Sequence, residues 1–271
     1  MELVSWPMIT ILMGVGIGVG LISGLMGIAG GVILVPALLK IEYVLGVPSD
    51  TAVKVAFGTS LLTGFLTSLS GTWQHHRERN VCWRDALALS LAGTAGALFG
   101  STLSAYLTAS VLKPLFGVVV LVVSVILALR SDSKENVRSE RHPVGLMVFV
   151  GALIGILSAL VGIGGGVMLV PFLALALGYP PRRAVGTSGA VIPLIALFGA
   201  AGYIVHGWGM KDLLPYSAGY VNLFFVLCLS VTSMLVAPLG AKIGTKLQGK
   251  WLNRLFALML VFVALKMIGM T

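Results

Sequence analysis

The sequence predicts an all-α polytopic membrane protein with about ten helical segments in two inverted-topology repeats of five. Three observations predict this fold class: the hydropathy, a duplicated glycine-rich segment and the distribution of basic residues. Of the 271 residues, 58% are apolar and 10% are charged, whereas about a quarter of the residues in soluble domains are charged. Because so few charges cannot cover a water-facing surface, we expect the chain to lie in a bilayer.

Apolar stretches suited to helices run almost from one end of the chain to the other. A bilayer core of about 30 Å requires roughly 20 apolar residues per helical span. Helices are predicted at 7–27, 31–46, 54–72, 84–107 and 111–130, and again at 144–162, 164–178, 184–206, 214–237 and 252–270. The predicted domains are a first repeat at 1–130, a charged cytoplasmic linker at 131–143 and a second repeat at 144–271. The short pairs 7–46 and 144–178 either cross twice or form re-entrant hairpins.

A glycine-rich segment occurs once in each predicted half. Gly20–Pro36 reads GLISGLMGIAGGVILVP, and Gly155–Pro171 reads GILSALVGIGGGVMLVP, with 11 of 17 positions identical. A second matching pair follows, since Ala56–Ser60 reads AFGTS and Ala184–Ser188 reads AVGTS. Self-similarity of this kind indicates two structurally related halves.

The basic residues predict the orientation of each half. With all ten helices crossing, four basic clusters fall on one side, which the positive-inside bias makes cytoplasmic. The clusters are Arg77, Arg79 and Arg84; Arg130, Lys134, Arg138 and Arg141; Arg182 and Arg183; and Lys242, Lys246, Lys250 and Arg254. The counterpart of the fourth cluster, near Thr108–Lys113, falls on the other side. Each half therefore has an odd number of crossings, both termini are extracytoplasmic, and the expected location is the inner membrane.

The duplication also predicts what the protein does. Inverted repeats recur in secondary transporters, whose substrate sites lie near the midplane between the repeats. Irregular backbone at membrane depth is tolerated only where it is buried in protein or lines a cavity. Gly27–Gly31 and Gly162–Gly166 are the segments that fit this description, one in each half. We therefore expect transport by alternating access.

The charge of the substrate is predicted from the groups that remain in the spans. We expect the nine carboxylates to lie outside the spans, His75, His76 and His142 to lie in loops, and His206 to lie at a helix end. Cation and proton pathways usually keep Asp, Glu or His in the membrane. Hydroxyls, glycine amides and helix N-termini favour an anion instead. The sequence thus predicts anion transport without a buried-acid proton relay.

The predicted substrate-binding residues are the glycines and hydroxyls of the duplicated segments. They are Ser23, Gly27, Gly30, Gly31, Thr59, Ser60, Ser158, Gly162, Gly165, Gly166, Thr187 and Ser188. Lys54 and Arg182 each precede a Gly-Thr-Ser motif by four residues and are predicted to attract anions toward opposite mouths. Two alternatives stay open, because glycines also let helices approach closely and hydroxyls also bond back to helix carbonyls.

The two glycine-rich copies and the paired A-x-G-T-S segments resemble the TauE/SafE sulfite exporter family over nearly the whole chain. The resemblance implies a membrane transporter of a sulfur oxyanion or an organosulfonate, such as sulfite or sulfoacetate. The alternatives are a channel or permease for a small cation or other solute, and a membrane component that only binds partners.

The remaining predictions concern partners and cofactors. We predict no enzymatic activity, no cofactor and no metal site. We also predict no nucleic-acid partner, because the basic residues follow membrane topology. Cys82 and Cys228 are predicted to be unpaired packing residues. The expected partners are a small anionic substrate and membrane lipid, and the oligomeric state is left open.

Overall fold

Helices form almost all of the protein. The computed structural model describes residues 5–27, 30–128, 142–244 and 250–269, with main chain only for 250–256. The described helices are α1 (Trp6–Met26), α2 (Gly31–Val44), α3 (Ser49–Arg77), α4 (Trp83–Tyr106), α5 (Ala109–Ala128), α6 (Val144–Leu160), α7 (Gly166–Pro171), α8 (Pro181–His206), α9 (Leu223–Gly244) and α10 (Lys250–Ile268). A π-helical segment, Phe172–Ala176, continues α7 directly. Most of the predicted linker at 131–143 lies outside the described residues.

Helix length and hydropathy confirm an all-α polytopic membrane protein. Within the described ranges, six helices are long and apolar enough to cross a bilayer, namely α1, α3, α4, α5, α8 and α9. Shorter apolar helices are α6, α7 with its π-helical continuation, and the part of α10 from Ala257. With 14 residues, α2 is about 21 Å long at about 1.5 Å per residue, less than a bilayer core.

Two predicted boundaries differ clearly from the structure. α3 was predicted at 54–72 but runs from Ser49 to Arg77, because hydropathy marks only the apolar part of a helix that continues at both ends. The ninth helix was predicted from 214 but begins at Leu223. The intervening residues form a small antiparallel hairpin, in which Ser217 pairs with Asn222 and Ala218 pairs with Val221. Apolar composition alone does not distinguish such a packed loop from a helix.

The prediction that ionisable side chains lie outside the helices is wrong at several positions. Glu42 lies in the last turn of α2 and is 0% exposed, and Asp85 lies in the first turn of α4 and is 3% exposed. His75 and His76 belong to the last turn of α3 rather than to a loop, and His75 is buried. Glu42 and Asp85 already fall within the helices predicted at 31–46 and 84–107, so the expectation of spans without acids did not follow from those helices. His75 and His76 were misplaced because α3 extends beyond its apolar part. The predicted anion preference therefore depends on the glycine segments and not on an absence of acids.

The helix packing is preserved when each helix is exchanged for its counterpart in the other half. α1 packs on α9 and α6 packs on α4, while α3 packs on α9 and α8 packs on α4. α2 packs on α3 and α10, and α7 packs on α8 and α5. Two further pairings, α3 with α8 and α5 with α10, join counterparts directly. This pattern supports the inverted repeats, which stay a prediction.

Small residues allow the two closest helix pairs. A Cβ added to Gly20 of α1 would lie 2.5 Å from the Ser233 carbonyl oxygen of α9. A Cβ added to Gly151 of α6 would lie 2.5 Å from the Leu89 carbonyl oxygen of α4. These glycines serve helix packing, as glycines in membrane helices commonly do.

Contacts between loops define two ends of the helix bundle. At the first end, the Tyr179 hydroxyl donates to Asp85 at 2.7 Å, and the His142 and Tyr179 rings lie 5.6 Å apart. At the second end, the Ala109 amide donates to Asp50 at 2.6 Å, and the Tyr106 and His206 rings lie 6.3 Å apart. The first end carries the predicted cytoplasmic clusters around Arg77–Arg84 and Arg182–Arg183.

Candidate functional site

Both glycine-rich segments interrupt their helices, as predicted. Gly27 follows α1 with φ +66°, and Gly30 precedes α2 with φ +71°. Their counterparts, Gly162 and Gly165, have φ +70° and +82°. The matching glycines thus adopt the same left-handed conformation, which residues with a Cβ rarely adopt. Residues 28 and 29, inside the first break, lie outside the described residues.

The two breaks contact each other in the protein interior. A Cβ added to Gly31 would lie 2.7 Å from the Ile163 Cα and 2.8 Å from the Gly162 carbonyl oxygen. A Cβ added to Gly162 would lie 2.6 Å from the Phe57 Cα of α3. A Cβ added to Gly27 would lie 2.5 Å from the Val185 carbonyl oxygen of α8. We call this buried meeting point, formed by Gly27, Gly30–Gly31 and Gly162–Gly166, the glycine junction.

Two helices begin at the glycine junction. Gly30 is the N-cap of α2 and Gly165 is the N-cap of α7, and neither helix has a side-chain cap. The first N–H groups of a helix lack partners within the helix and carry partial positive charge. Neither helix has an acidic residue in its first turn. The junction therefore brings two uncapped helix N-termini together, with Gly31 and Gly166 as their first residues.

Two buried hydroxyls near the junction have no hydrogen-bond partner among the described residues. They belong to Ser60, which is 1% exposed, and Ser158, which is 0% exposed. The Ser158 Oγ lies 3.4 Å from the position of a Cβ added to Gly165. Ser60 lies on α3, three residues after Phe57, which contacts Gly162. An unsatisfied buried polar group costs about 1–3 kcal/mol, so a hydrogen-bonding ligand would find favourable contacts here.

Thr59 and Thr187 hold loops of the opposite half. The Thr59 Oγ1 accepts from the Asn222 amide at 2.9 Å, and the Thr187 Oγ1 accepts from the Cys82 amide at 3.0 Å. Asn222 directly precedes α9, and Cys82 directly precedes α4. We call these two matching contacts the threonine latches.

The glycine before each latch threonine makes room for the loop. A Cβ added to Gly186 would lie 2.5 Å from the Asn80 carbonyl oxygen, and one added to Gly58 would collide with the Tyr220 carbonyl oxygen. The sequence prediction considered substrate contacts, helix packing and bonds back to helix carbonyls for the Gly-Thr-Ser motifs, and it missed this anchoring contact with a loop. The duplication could have indicated this contact, because each Gly-Thr-Ser motif has a matching loop, one before α4 and one before α9.

Ser188 and Ser23 also lie close to the glycine junction. The Ser188 hydroxyl donates to the Gly27 carbonyl oxygen at 3.1 Å and so joins α8 to the end of α1. The Ser23 carbonyl oxygen accepts from the Gly27 amide at 2.9 Å and closes the last turn of α1. Both side chains are buried. The structure therefore brings the predicted serines and glycines together, whereas the two latch threonines bind loops.

The two predicted anion-attracting residues lie at opposite ends of the bundle. The Lys54 Nζ donates to the Ala105 carbonyl oxygen at 2.6 Å and lies 5.7 Å from the centre of the Tyr220 ring. Arg182 is exposed in the first turn of α8, at the other end. Lys54 is thus tied to the end of α4, while Arg182 faces outward.

A polar contact missed by the sequence prediction stabilises the end of the bundle near Arg182. Burial raises the pKa of Tyr179, and hydrogen bonds to Cys82 and Asp85 raise it further. Tyr179 therefore stays protonated near neutral pH and remains a donor to the buried Asp85 carboxylate. In the part of the chain described, no three His, Cys, Asp or Glu residues are placed to hold a metal ion.

The helices and the paired breaks define a multi-pass membrane transporter as the class of protein. Residues 12–267 match the family described as Sulfite exporter TauE/SafE. The chain belongs to this family, as its resemblance to the family predicted. The family also confirms the prediction of a membrane transporter rather than an enzyme.

Several curated proteins are similar to nearly the whole chain. A "Probable membrane transporter protein" of Haemophilus influenzae is 34% identical, covering 93% of this chain and 95% of the relative. A "Probable membrane transporter protein" of Methanocaldococcus jannaschii is 30% identical, covering 94% of this chain and 93% of the relative. The "Probable membrane transporter protein YunE" of Bacillus subtilis is 25% identical, covering 95% of this chain and 96% of the relative. No solved structure matches the chain significantly.

Proposed function

We propose that this protein is a secondary transporter that moves a small anion across the inner membrane by alternating access. The observation that supports the proposal most directly is the glycine junction, where two uncapped helix N-termini meet in the protein interior. The family description names a sulfite exporter. A sulfur oxyanion or an organosulfonate, such as sulfite or sulfoacetate, is therefore the proposed substrate class.

The junction offers the donors that such an anion requires. Helix N-termini bind anions through unpaired amides and the positive end of the helix dipole. The unpartnered hydroxyls of Ser60 and Ser158 can donate to further oxygens of the same anion. Gly165 leaves room beside the start of α7, since a Cβ added there would lie no closer than 3.4 Å to a described atom. A sulfur oxyanion, with several acceptor oxygens around one centre, suits donors that converge from two directions.

The exchangeable helix packing supports alternating access. In inverted-repeat transporters, one half moves against the other around a fixed site, so the site opens to each side in turn. Here the described residues of the glycine junction are buried, and the threonine latches join each half to the helix that begins in the other. Burial of this kind is what a state closed around the site requires.

Flux measurements in proteoliposomes test the proposed function. We expect saturable exchange of labelled sulfite or sulfoacetate, inhibited by the unlabelled anion, and slow or no exchange of chloride, which has no acceptor oxygens. Flux of small cations without anion exchange would support a channel or cation permease. Absence of all flux from correctly folded protein would support a membrane component that only binds partners.

A serine substitution tests the position of the site. Ser158→Ala removes a donor and should reduce exchange about tenfold or more, because a hydrogen bond to a charged group is worth about 1.5–3 kcal/mol. The matched control is Ser90→Ala, since Ser90 is also buried but its hydroxyl donates to the Leu87 carbonyl oxygen of its own helix. Equal exchange rates in both variants would contradict the proposed site.

A further inference from the structure

Glu42 is a buried acid that the proposed anion site does not use. It lies in the last turn of α2, its side chain is 0% exposed, and neither carboxylate oxygen has a hydrogen-bond partner among the described residues. An ionised carboxylate in an apolar interior is costly unless it is paired, whereas a protonated carboxyl group is far less so. Unpaired acids inside membrane proteins most often mark proton or ion pathways.

The described charged side chains on the neighbouring elements have other contacts or are exposed. On α3, Asp50 accepts from the Ala109 amide and Lys54 donates to the Ala105 carbonyl oxygen. On α5, Lys113 lies 5.4 Å from the centre of the Tyr43 ring. On α10, Lys266 is exposed, and α1 contains no charged residue. The structure therefore shows no cation bonded to the Glu42 carboxylate in the described part of the chain.

Glu42 is mechanically connected to the glycine junction through α2. Gly31, the first residue of α2, lies at the junction, and Glu42 follows eleven residues later on the same helix. At about 1.5 Å per residue the two are separated by about 16 Å along the helix axis. A displacement of α2 at the junction therefore also changes the surroundings of Glu42.

The corresponding stretch of the second half carries no acidic residue. From Val167 to Pro180, between the second glycine break and α8, the sequence contains neither Asp nor Glu. The acid in α2 therefore breaks the similarity of the two halves. Packing alone does not require a carboxyl group at residue 42.

We propose that the Glu42 carboxyl group is a proton-binding site that couples anion transport to protons, binding a proton in one arrangement of α2 and releasing it in the other. A Glu42 carboxylate oxygen takes up a proton from water on one side of the membrane, keeps it in the closed arrangement described here, and releases it to water on the other side when α2 moves and exposes the side chain. This inference rests on the proposed transport function. It replaces the expectation, drawn from the sequence, that no buried-acid relay is present.

Infrared difference spectroscopy of the purified protein in lipid tests proton binding without any need for transport. We expect a carbonyl-stretch band of a protonated carboxyl group that disappears as the pH is raised and that is absent from Glu42→Gln. Asp212→Asn is the matched control, because Asp212 is an exposed acid in a loop outside the helices. The band should persist in this variant. An unchanged band in Glu42→Gln would overturn the proposal.

Accumulation driven by a pH gradient tests the coupling. A sulfonate is a suitable probe because it stays ionised near neutral pH, so that any accompanying proton is carried by the protein. One coupled proton allows about a tenfold accumulation per pH unit at zero membrane potential. In Glu42→Gln and Glu42→Leu this ratio should fall to about one, while exchange at equal pH persists. A retained pH-driven gradient would overturn the coupling.

The two experiments separate the two proposals. Wild-type protein that exchanges no anion but has the Glu42 band contradicts the proposed function and retains the proton site. Wild-type protein that exchanges anions without the band contradicts the proton site alone. If Glu42→Gln loses exchange altogether, a change in the wild-type band on adding the sulfonate supports coupling, and an unchanged band overturns it.

Discussion

At the scale of single residues, the threonine and the serine of each Gly-Thr-Ser motif make different contacts. The threonines accept hydrogen bonds from the amides of Asn222 and Cys82, where they anchor loops. The serines lie one residue further along the helices: Ser188 binds the end of α1, and Ser60 has no partner among the described residues. Of the four hydroxyls in the two motifs, only that of Ser60 lacks a partner among the described residues, so we propose Ser60 as the substrate contact of the motif.

Removing a threonine latch should destabilise the protein more than removing an ordinary helical hydroxyl. Thr59→Val and Thr187→Val each leave a backbone amide unpaired, which costs about 1–3 kcal/mol when the group is buried. We expect a lower thermal midpoint in detergent for each variant. The control is Thr102→Val, because the Thr102 hydroxyl bonds only to the Leu98 carbonyl oxygen of its own helix. Equal midpoints for all three variants would show that the latches contribute nothing.

At the scale of helices and loops, the sequence predicts which helices exist far better than it predicts where each helix begins and ends. All ten helices were predicted from the lengths of the apolar stretches and from the glycines that separate them. The bilayer sets the length of a span and restricts irregular backbone to particular places. The start of α9 was misplaced since Tyr216–Asn222 is apolar yet folds as a hairpin, with Tyr216 and Gly219 at positive φ.

The glycine breaks were predictable as irregular segments, but not their mutual contact. Contact between Gly31 and Gly162 depends on how two distant segments pack, and no local pattern encodes it. The burial of Glu42 is a tertiary property for the same reason. Sequence reasoning therefore predicted the glycine breaks but not the division between anchoring and unpartnered hydroxyls, and the substrate-binding role of these residues stays a prediction.

The contact between the two breaks predicts that position 31 does not tolerate a side chain. In Gly31→Ala the new Cβ meets backbone atoms of Ile163 and Gly162, which cannot rotate away. Overpacking of this kind costs about 1–3 kcal/mol, so we expect a lower thermal midpoint and reduced anion exchange. Gly18→Ala is the control, because a Cβ there has nothing within 4 Å. A Gly31→Ala protein with wild-type exchange would show that the breaks need not touch.

At the scale of the whole molecule, the two ends of the helix bundle differ in the charged residues that lie there. Arg77 and Arg182 lie at the end that holds the contact between Tyr179 and Asp85. Asp212 lies in the loop between α8 and α9, at the opposite end with His206. The positive-inside bias predicts that the first end is cytoplasmic.

Labelling of single cysteines tests this orientation. In a background in which Cys82 and Cys228 are replaced by serine, Arg77→Cys and Arg182→Cys should react with an impermeant thiol reagent only from the cytoplasmic side. Asp212→Cys should react only from the opposite side, because a bilayer separates the two loops. All three side chains are exposed in the structure. Reaction of all three cysteines from one side would contradict the predicted topology.

The pairing of α1 with α9 has a consequence for how the protein is made. Trp6 enters the membrane early in synthesis, but its helix packs on one that begins only at Leu223. Until then the close-packing surface around Gly20 has no protein neighbour and must face lipid or the insertion machinery. The nascent first half is therefore a membrane-inserted intermediate with unfilled grooves, and its assembly is completed only after α9 has been translated.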